Sequence, residues 1–402
     1  MNSIAKKKNS FDVVVIGAGP AGATAAYLLA SKGFKILIVE KSTFPRDKLC
    51  GGLLTLKTVK LLESIYGISL DDMKNQRIIT YQSFNYKVGS SKGGAIKGRL
   101  DYPFHFVQRS VYDAFWLEMA QKAGAEFRAG EKAVALDISS KKLTTNKGYE
   151  IYGNYILAAD GALSRTRRLL STAGLIKPDR QSEMATTLEV FISNRHIPEQ
   201  TDYPAIYFGY IPWGYSWNFP GEHFRILGIV GLNVKAGRFL RKGFRTFLKS
   251  LNISVKRFPP FRSHALPYGS FLSDPGYSNV LLLGDACGLV DPFLGEGLYY
   301  AHKSAQLAAR ALLKSYDDSQ AVLKCYRRCL EQNIIAELKR IRMIRRIIFT
   351  LPGNWPYRIL SFILETMPKP CEEALQGDRP VKWLRPGCNE KVFRQNKLCN
   401  KR

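Results

Sequence analysis

Acidic residues are scarce in this 402-residue chain: 33 Asp and Glu face 60 Lys and Arg, giving a formal charge of +27 and a pI near 9.8. Such a field disfavours cationic partners and favours nucleic acid, acidic lipid surfaces, or phosphorylated cofactors and substrates. Cysteine is sparse too. Seven thiols, an odd count, do not make a disulfide framework and point to reduced thiols in a cytoplasmic setting. Cys325 and Cys329 have helical i, i+4 spacing, but no His or acidic pattern accompanies them. Cys371, Cys388 and Cys399 are scattered, so no metal site is expected. No uninterrupted apolar run reaches the roughly 18 residues of a transmembrane helix, which predicts a soluble or surface-bound protein. The length allows two or three packed units.

The charged start "MNSIAKKKNS" followed by "FDVVVIGAGPAGATAAYLLA" has the outline of a signal peptide, but its glycines have a better explanation. The stretch reads as an apolar strand, a tight turn, an alanine-rich helix entered through Pro20 and Ala21, and a second strand ending at Glu40 and Lys41. Gly17 permits the turn, Gly19 admits a pyrophosphate to the backbone, and Gly22 lets helix and strand pack closely. The helix start then offers free N–H groups and a positive dipole to the phosphates. Glu40 stands where an acid accepts hydrogen bonds from a ribose, which favours FAD or NAD without separating them.

A second apolar strand, "NVLLLG", ends in Asp285 and runs on as "DACGLVDPFLGEGLYYA". This resembles the second FAD motif of the glutathione-reductase-like flavoproteins, in their hydroxylase-like branch. The resemblance implies that Asp285 meets a ribityl hydroxyl and that Gly295, Glu296 and Gly297 wrap the isoalloxazine edge. A helix beginning near Gly295 then points its N–H groups at the N1/O2 side, where negative charge gathers on reduction. "YILAADGALSRTRR" matches the branch's Asp160-Gly161 segment, with Ser164 and Arg167 entering a helix. Arg109 stands where the branch keeps an arginine near the phosphates. All four in family order imply FAD.

Two further stretches narrow the family. "FPRDKLCGGLL" places Cys50 before Gly51 and Gly52, and "GYIPWGYSWNFP" holds Tyr215, Trp217, Phe219 and Pro220. Together they resemble the geranylgeranyl reductase family, over about residues 10 to 350. The family carries a Cys-Gly-Gly element near the flavin and a Tyr-x-Trp-x-Phe-Pro signature lining a lipid cavity. Where it often has Gly-x-Gly after the signature, this chain has "GIVG" at 228–231.

The implied fold is α/β: a discontinuous, three-layer, Rossmann-like FAD domain (9–75, 100–180 and 270–320), an antiparallel-sheet substrate domain (76–99 and 181–269), and a basic C-terminal helical region (321–402). The implied activity is FAD-dependent saturation of isoprenoid double bonds in a lipid, prenyl diphosphate, quinone or chlorophyll precursor. An isolated alkene is not conjugated to a carbonyl. It therefore calls for a dry apolar tunnel, one proton source, and aromatic faces that tolerate transient positive charge. Tyr215, Trp217 and Phe219 alternate and so share a strand face. Cys50 and Tyr215 are the candidate proton sources, and Gly51, Tyr215, Trp217, Phe219 and Pro220 the candidate substrate contacts. His302 is expected to be structural. The electron donor is NAD(P)H bound transiently or a ferredoxin-like protein, since no second separate GxGxxG occurs.

Residues 326–402 hold 17 Lys/Arg against 7 Asp/Glu. "KRIRMIRRIIF", then Trp355, Tyr357 and Phe362, suit an interfacial helix on anionic lipid, on the cytoplasmic face of a membrane, or else a solvated face of a closing helix. Nucleic acid is not expected, because no recognition motif is present. Two other classes share the scaffold or its charge. A flavin-dependent hydroxylase or halogenase is one, although a halogenase would carry Trp-x-Trp-x-Ile-Pro. A flavin-containing membrane- or RNA-associated binding protein is the other.

Overall fold

The computed structural model describes residues 9–177, 183–197, 201–253, 261–351 and 355–377. Cys388, Cys399 and the last part of the basic tail lie outside them.

The chain opens with β1 (Ser10–Ile16), α1 (Pro20–Ala30) and β2 (Ile36–Glu40). A loop leads through β3 (Leu53–Leu54) to α2 (Leu56–Tyr66) and α3 (Leu70–Asn75). The long hairpin β4 (Ile79–Ser90) and β5 (Ala95–Val107) follows, then α4 (Arg109–Lys122). Next come β6 (Glu126–Ala129), β7 (Ala133–Asp137), β8 (Lys142–Thr145), β9 (Glu150–Ala158) and α5 (Arg165–Thr172). The second half begins with β10 (Ala185–Ser193), β11 (Ala205–Phe208), β12 (Gly214–Phe219) and β13 (Phe224–Leu232). It continues through α6 (Asn233–Ala236), α7 (Leu240–Ser250), β14 (Arg262–Leu266), β15 (Gly276–Tyr277) and β16 (Val280–Leu282). The described chain closes with α8 (Leu298–Ser315), α9 (Ser319–Leu330), a π-turn at Glu331–Ile335, α10 (Ala336–Thr350), α11 (Trp355–Thr366) and α12 (Pro368–Gln376).

Two sheets result. The first runs β15-β16-β9-β1-β2-β6, with the β7–β8 hairpin joined to β9. Its central pairs are parallel. Every residue of β2 is buried, as a parallel strand covered on both faces requires. The second runs β14-β10-β13-β12-β11-β4-β5-β3, antiparallel except where β11 meets β4.

Two expected boundaries move. β5 carries residues 100–107, expected on the nucleotide side, into the second sheet, because the β4–β5 hairpin is long enough to reach back to β3. Residues 322–338, expected to start a separate basic region, instead bury Val322, Tyr326, Leu330, Ile334 and Leu338 in the core of the first sheet. Their cations decorate only the outer side of helices whose inner stripe is apolar. No described helix is long and apolar enough to cross a membrane.

Candidate functional site

The turn between β1 and α1 leaves no room for side chains. Gly17 has φ +100°, and a Cβ there would lie 2.4 Å from the Ala159 carbonyl oxygen. A Cβ on Gly22 would lie 1.8 Å from the Gly17 carbonyl oxygen, so helix and strand meet through bare backbone. Pro20 and Ala21 open α1 as buried residues, and no side chain caps its N-terminus. Its first N–H groups are therefore free to meet an anion. Glu40 is buried at the tip of β2 and accepts from the Ala18 and Ser42 N–H groups, each at 2.9 Å. Lys41 beside it is exposed. Asp160 accepts from Ser164 Oγ at 2.5 Å and from the Thr166 N–H at 3.1 Å, which anchors the start of α5. A bare glycine turn, an uncapped helix start and an acid at the next strand tip fit a dinucleotide.

Cations gather on the loop after β2. Arg46 Nη2 lies 3.5 Å from the position a Cβ on Gly19 would take, over the phosphate turn, and 3.1 Å from Asp113. Arg109, expected at the phosphates, gives both arms of its guanidinium to that same Asp113 at 2.7 Å and also reaches the Cys50 thiol. Its partner lies one turn further along α4, so the pair forms within the helix. Burial opposes charge on Arg109 and Asp113, but their attraction outweighs it and keeps both ionised. Lys48 lies 3.8 Å from Asp285, and burial draws its ammonium below the ordinary value. Arg46 and Lys48 carry no motif label, though both lie in the stretch that flagged Cys50.

The helix after Asp285 starts later than expected. Gly284–Cys287 is a 3₁₀ turn, and Asp291 Oδ1 then accepts from the Phe293 and Leu294 N–H groups at 2.7 Å. With Gly295 at φ +76°, this closes residues 291–296 into a loop, and α8 begins at Leu298 with Gly297 as its uncapped start. Burial lifts the Asp291 carboxyl to about 6. Glu296, expected along the flavin edge, has its carboxylate engaged by the start of α2. It accepts from Thr55 Oγ1 at 2.9 Å and Thr58 Oγ1 at 3.1 Å and pairs with Lys57 at 2.7 Å, bracing the loop against α2.

The second sheet supplies the facing wall. Tyr215, Trp217 and Phe219 share one face of β12, in a cluster with Phe106, Phe208, Phe293 and Phe349. The Tyr215 hydroxyl donates to the Leu294 carbonyl, tying β12 to the glycine loop. Gly51 is small for a reason: a Cβ there would come 2.7 Å from the Phe219 ring and 4.0 Å from Trp217 Nε1. Gly228 is small for a similar one, since its Cβ would stand 2.1 Å from the Trp217 ring. Pro220 is buried at the strand end. Cys50 Sγ accepts from the Gly52 N–H at 3.3 Å.

Sequence reasoning missed one buried acid on this wall. Glu189 is 2% exposed, and its Oε2 has no hydrogen-bond partner among the described residues. Trp217 Nε1 is likewise buried without one. The only signal was a lone acid inside the strand "ATTLEVFIS". His302, expected to be structural, is fully buried between Thr24 Oγ1 and the Tyr112 hydroxyl, each at 2.7 Å, and burial lowers it to about 3.

Comparisons with known proteins point to the same cofactor class. Residues 10–206 match the FAD binding domain family. A menaquinone reductase of Mycobacterium tuberculosis is 31% identical over 76% of this chain and 77% of its own. A digeranylgeranylglycerophospholipid reductase of Methanosarcina acetivorans is 26% identical over 79% and 78%. Among solved structures, a geranylgeranyl bacteriochlorophyll reductase-like protein from Thermoplasma acidophilum superposes with TM-score 0.76 at 21% identity, over 91% of this chain and 98% of that one. The flavin-dependent brominase Bmp2, as a triple mutant, shares the fold with TM-score 0.69 at 20% identity, over 91% and 94%. Fold and site define an FAD-dependent oxidoreductase. The chain belongs to the geranylgeranyl reductase-like family of FAD enzymes, which act on CH–CH bonds.

Proposed function

We propose that this enzyme saturates double bonds of isoprenoid chains carried by a lipid, prenyl diphosphate, quinone or chlorophyll precursor. The observation that supports this reading best is the continuous aromatic face of Tyr215, Trp217 and Phe219 beside the Cys50-Gly51-Gly52 loop. Such a face excludes water and stabilises positive charge developing on an alkene carbon. Bound and reduced, FAD supplies a hydride. Gly17, Gly19 and Gly22 with the start of α1 would hold its pyrophosphate under Arg46, Glu40 its adenosine ribose, and Asp160 and Asp285 the parts nearer the ring.

Cys50 and Tyr215 stand at the junction of the two walls. Burial, with Asp291, Glu189 and Cys50 nearby, raises the Tyr215 phenol, so it keeps its proton at neutral pH. The electron donor is NAD(P)H or a ferredoxin-like protein.

The outer side of the C-terminal helices suits contact with an anionic membrane surface. Tyr357, Leu360 and Leu364 of α11 pack inward on the aromatic cluster, while Trp355 and Phe362, seven residues apart, are exposed, as are Met343 and Ile347 of α10. Arg346 and Arg358 flank them, the latter over the Trp355 ring at 5.6 Å. An apolar stripe rimmed by cations favours acidic lipid, and the inner side of α11 packs on the aromatic cluster.

The test is anaerobic. Photoreduced holoenzyme is mixed with geranylgeranyl lipids, and products are analysed by mass for added pairs of hydrogens. Saturated product with flavin reoxidation supports the reading. Reoxidation only by oxygen, with hydroxylated or halogenated product, would instead favour the monooxygenase or halogenase alternative.

A further inference from the structure

Glu189 occupies a position that packing alone does not explain. Strand register sets Glu189 of β10 opposite Gly228 of β13, and Gly228 opposite Trp217 of β12. Residues aligned across neighbouring strands share a face, so Glu189 points to the same side as Trp217. The opposite side of β10 carries Leu188, Val190 and Ile192, packed with Phe244 and Phe247 of α7. A carboxylate has thus been placed on the cofactor side of the sheet, although an apolar residue would fill a core position at lower cost. Between the two residues Gly228 has no side chain, which lets the Trp217 ring extend over it. Two buried polar atoms, Glu189 Oε2 and Trp217 Nε1, are left unpartnered on this one wall. Orphaned buried groups are rare, and in a reactive cleft they mark places where a ligand or a proton is handled.

The charged and titratable surroundings are few. Arg262 is opposite Glu189 on β14, with its guanidinium shared between Asp47 at 3.6 Å and the Phe191 ring. Arg109 and the Cys50 backbone N–H approach from the nucleotide side, and the Thr187 hydroxyl donates to Oε1 at 3.3 Å. Tyr215 lies in the next row, where His264 is the β14 neighbour of Thr187. Burial is the largest influence on the Glu189 carboxyl and outweighs these favourable contacts, raising it to about 7. His264, pushed down to about 4 mainly by burial, stays neutral and adds no cation.

The groups expected to supply the proton are engaged elsewhere. The Tyr215 hydroxyl already donates to Leu294. The Cys50 sulfur is already an acceptor for the Gly52 N–H at 3.3 Å.

We propose that Glu189 is the acid of the site, a carboxyl held protonated in the cleft that delivers its proton to one carbon of the double bond. The proposal rests on the reading of the enzyme as an alkene reductase. The Glu189 O–H bond breaks, and the alkene's π electron pair forms the new C–H bond. Reduced FAD, when bound, would supply the hydride with its two electrons to the neighbouring carbon and be oxidised in turn. The carboxylate then recovers a proton from solvent. Cys50 becomes a positioning residue, its backbone N–H facing the carboxylate that remains.

The decisive experiment compares wild type, Glu189→Gln and Glu189→Asp as holoenzymes. In infrared difference spectra of oxidised against photoreduced protein, recorded without substrate, wild type should show a protonated carboxyl band at pH 6 that vanishes by pH 9. The band should be missing in Glu189→Gln although the flavin absorbance is normal. With a geranylgeranyl lipid, anaerobic reoxidation in wild type should fall as pH rises through about 7. It should drop about 100-fold or more in Glu189→Gln, a typical loss for a general acid, and recover in part in Glu189→Asp. Retention of the rate within threefold in Glu189→Gln, with an unchanged pH profile, overturns the proposal and leaves alkene reduction standing. If wild type reduces no polyprenyl lipid, the functional reading fails. The infrared arm then decides alone whether Glu189 holds a proton: a band lost in Glu189→Gln supports it, and no band overturns it.

Discussion

Gly228 and Trp217 face each other across β13 and β12, and a methyl group on the glycine would sit 2.1 Å from the indole ring. The ring cannot keep its place beside any larger residue. Gly228→Ala should therefore fold with a cost of about 1–3 kcal/mol, typical of overpacking. Because the displaced ring leaves the Glu189 row, turnover should fall further than the stability loss explains. Denaturant titration alongside kcat/KM measures both, and unchanged turnover would show that Trp217's position is not needed.

The dinucleotide turn is less forgiving. A Cβ at Gly22 has only 1.8 Å to the Gly17 carbonyl, which is backbone and cannot rotate away. Gly22→Ala should yield protein that loses its yellow colour and does not regain it with added FAD, as read by absorbance after dialysis.

Cys50→Ala should retain flavin, because the thiol belongs to the junction loop and not to the phosphate turn. Turnover should fall at least tenfold through loss of its contacts with Gly52 and Arg109. Equal turnover by Cys50→Ala and wild type would remove the thiol from the chemistry.

Stability should depend on pH from both sides. His302 is held at about 3, below its ordinary 6.5, by burial. The unfolded chain takes up a proton first, so this contribution is complete above pH 6.5 and is lost as pH falls toward 3. Between pH 6.5 and 4 it amounts to a loss on the order of 3 kcal/mol. Glu189 works in the opposite sense. Its raised carboxyl contributes fully below the ordinary glutamate value and loses that contribution as pH rises through about 7. Urea midpoints across pH 4 to 9 should peak between these limbs. Glu189→Gln should flatten only the alkaline one.

Trp355 and Phe362 are 49% and 65% exposed, far more than their inward neighbours on α11. The double substitution Trp355→Ser, Phe362→Ser should leave folding intact and weaken binding to phosphatidylserine-containing vesicles. Binding by the unaltered chain should fall as salt rises, because screening shortens the reach of surface charge to about 8 Å at physiological ionic strength. Flotation assays in which both proteins bind equally would leave the helix face without a membrane role.

Much was legible in local chemistry. Gly17, Gly22 and Glu40 could be read because each answers to a backbone constraint carried within one βαβ unit. The Tyr215, Trp217 and Phe219 face was legible because alternation on a strand is itself a statement of sidedness. Arg109 and Glu296 were harder. Both stand where the family pattern places them, yet their charges are answered by Asp113 and Lys57, partners no spacing rule names.

The sequence by itself determined the dinucleotide fold and the aromatic strand face, since these depend on residues a few positions apart, while FAD followed from the resemblance of four segments in family order. Only the tertiary structure decided which ionisable groups meet in the cleft. Glu189, Cys50, Arg109 and Tyr215 come from four separate stretches, and the two sheets bring them together. Burial then raises the Glu189 carboxyl and the Tyr215 phenol, and Asp113 keeps Arg109 charged against it, effects that belong to the packed whole.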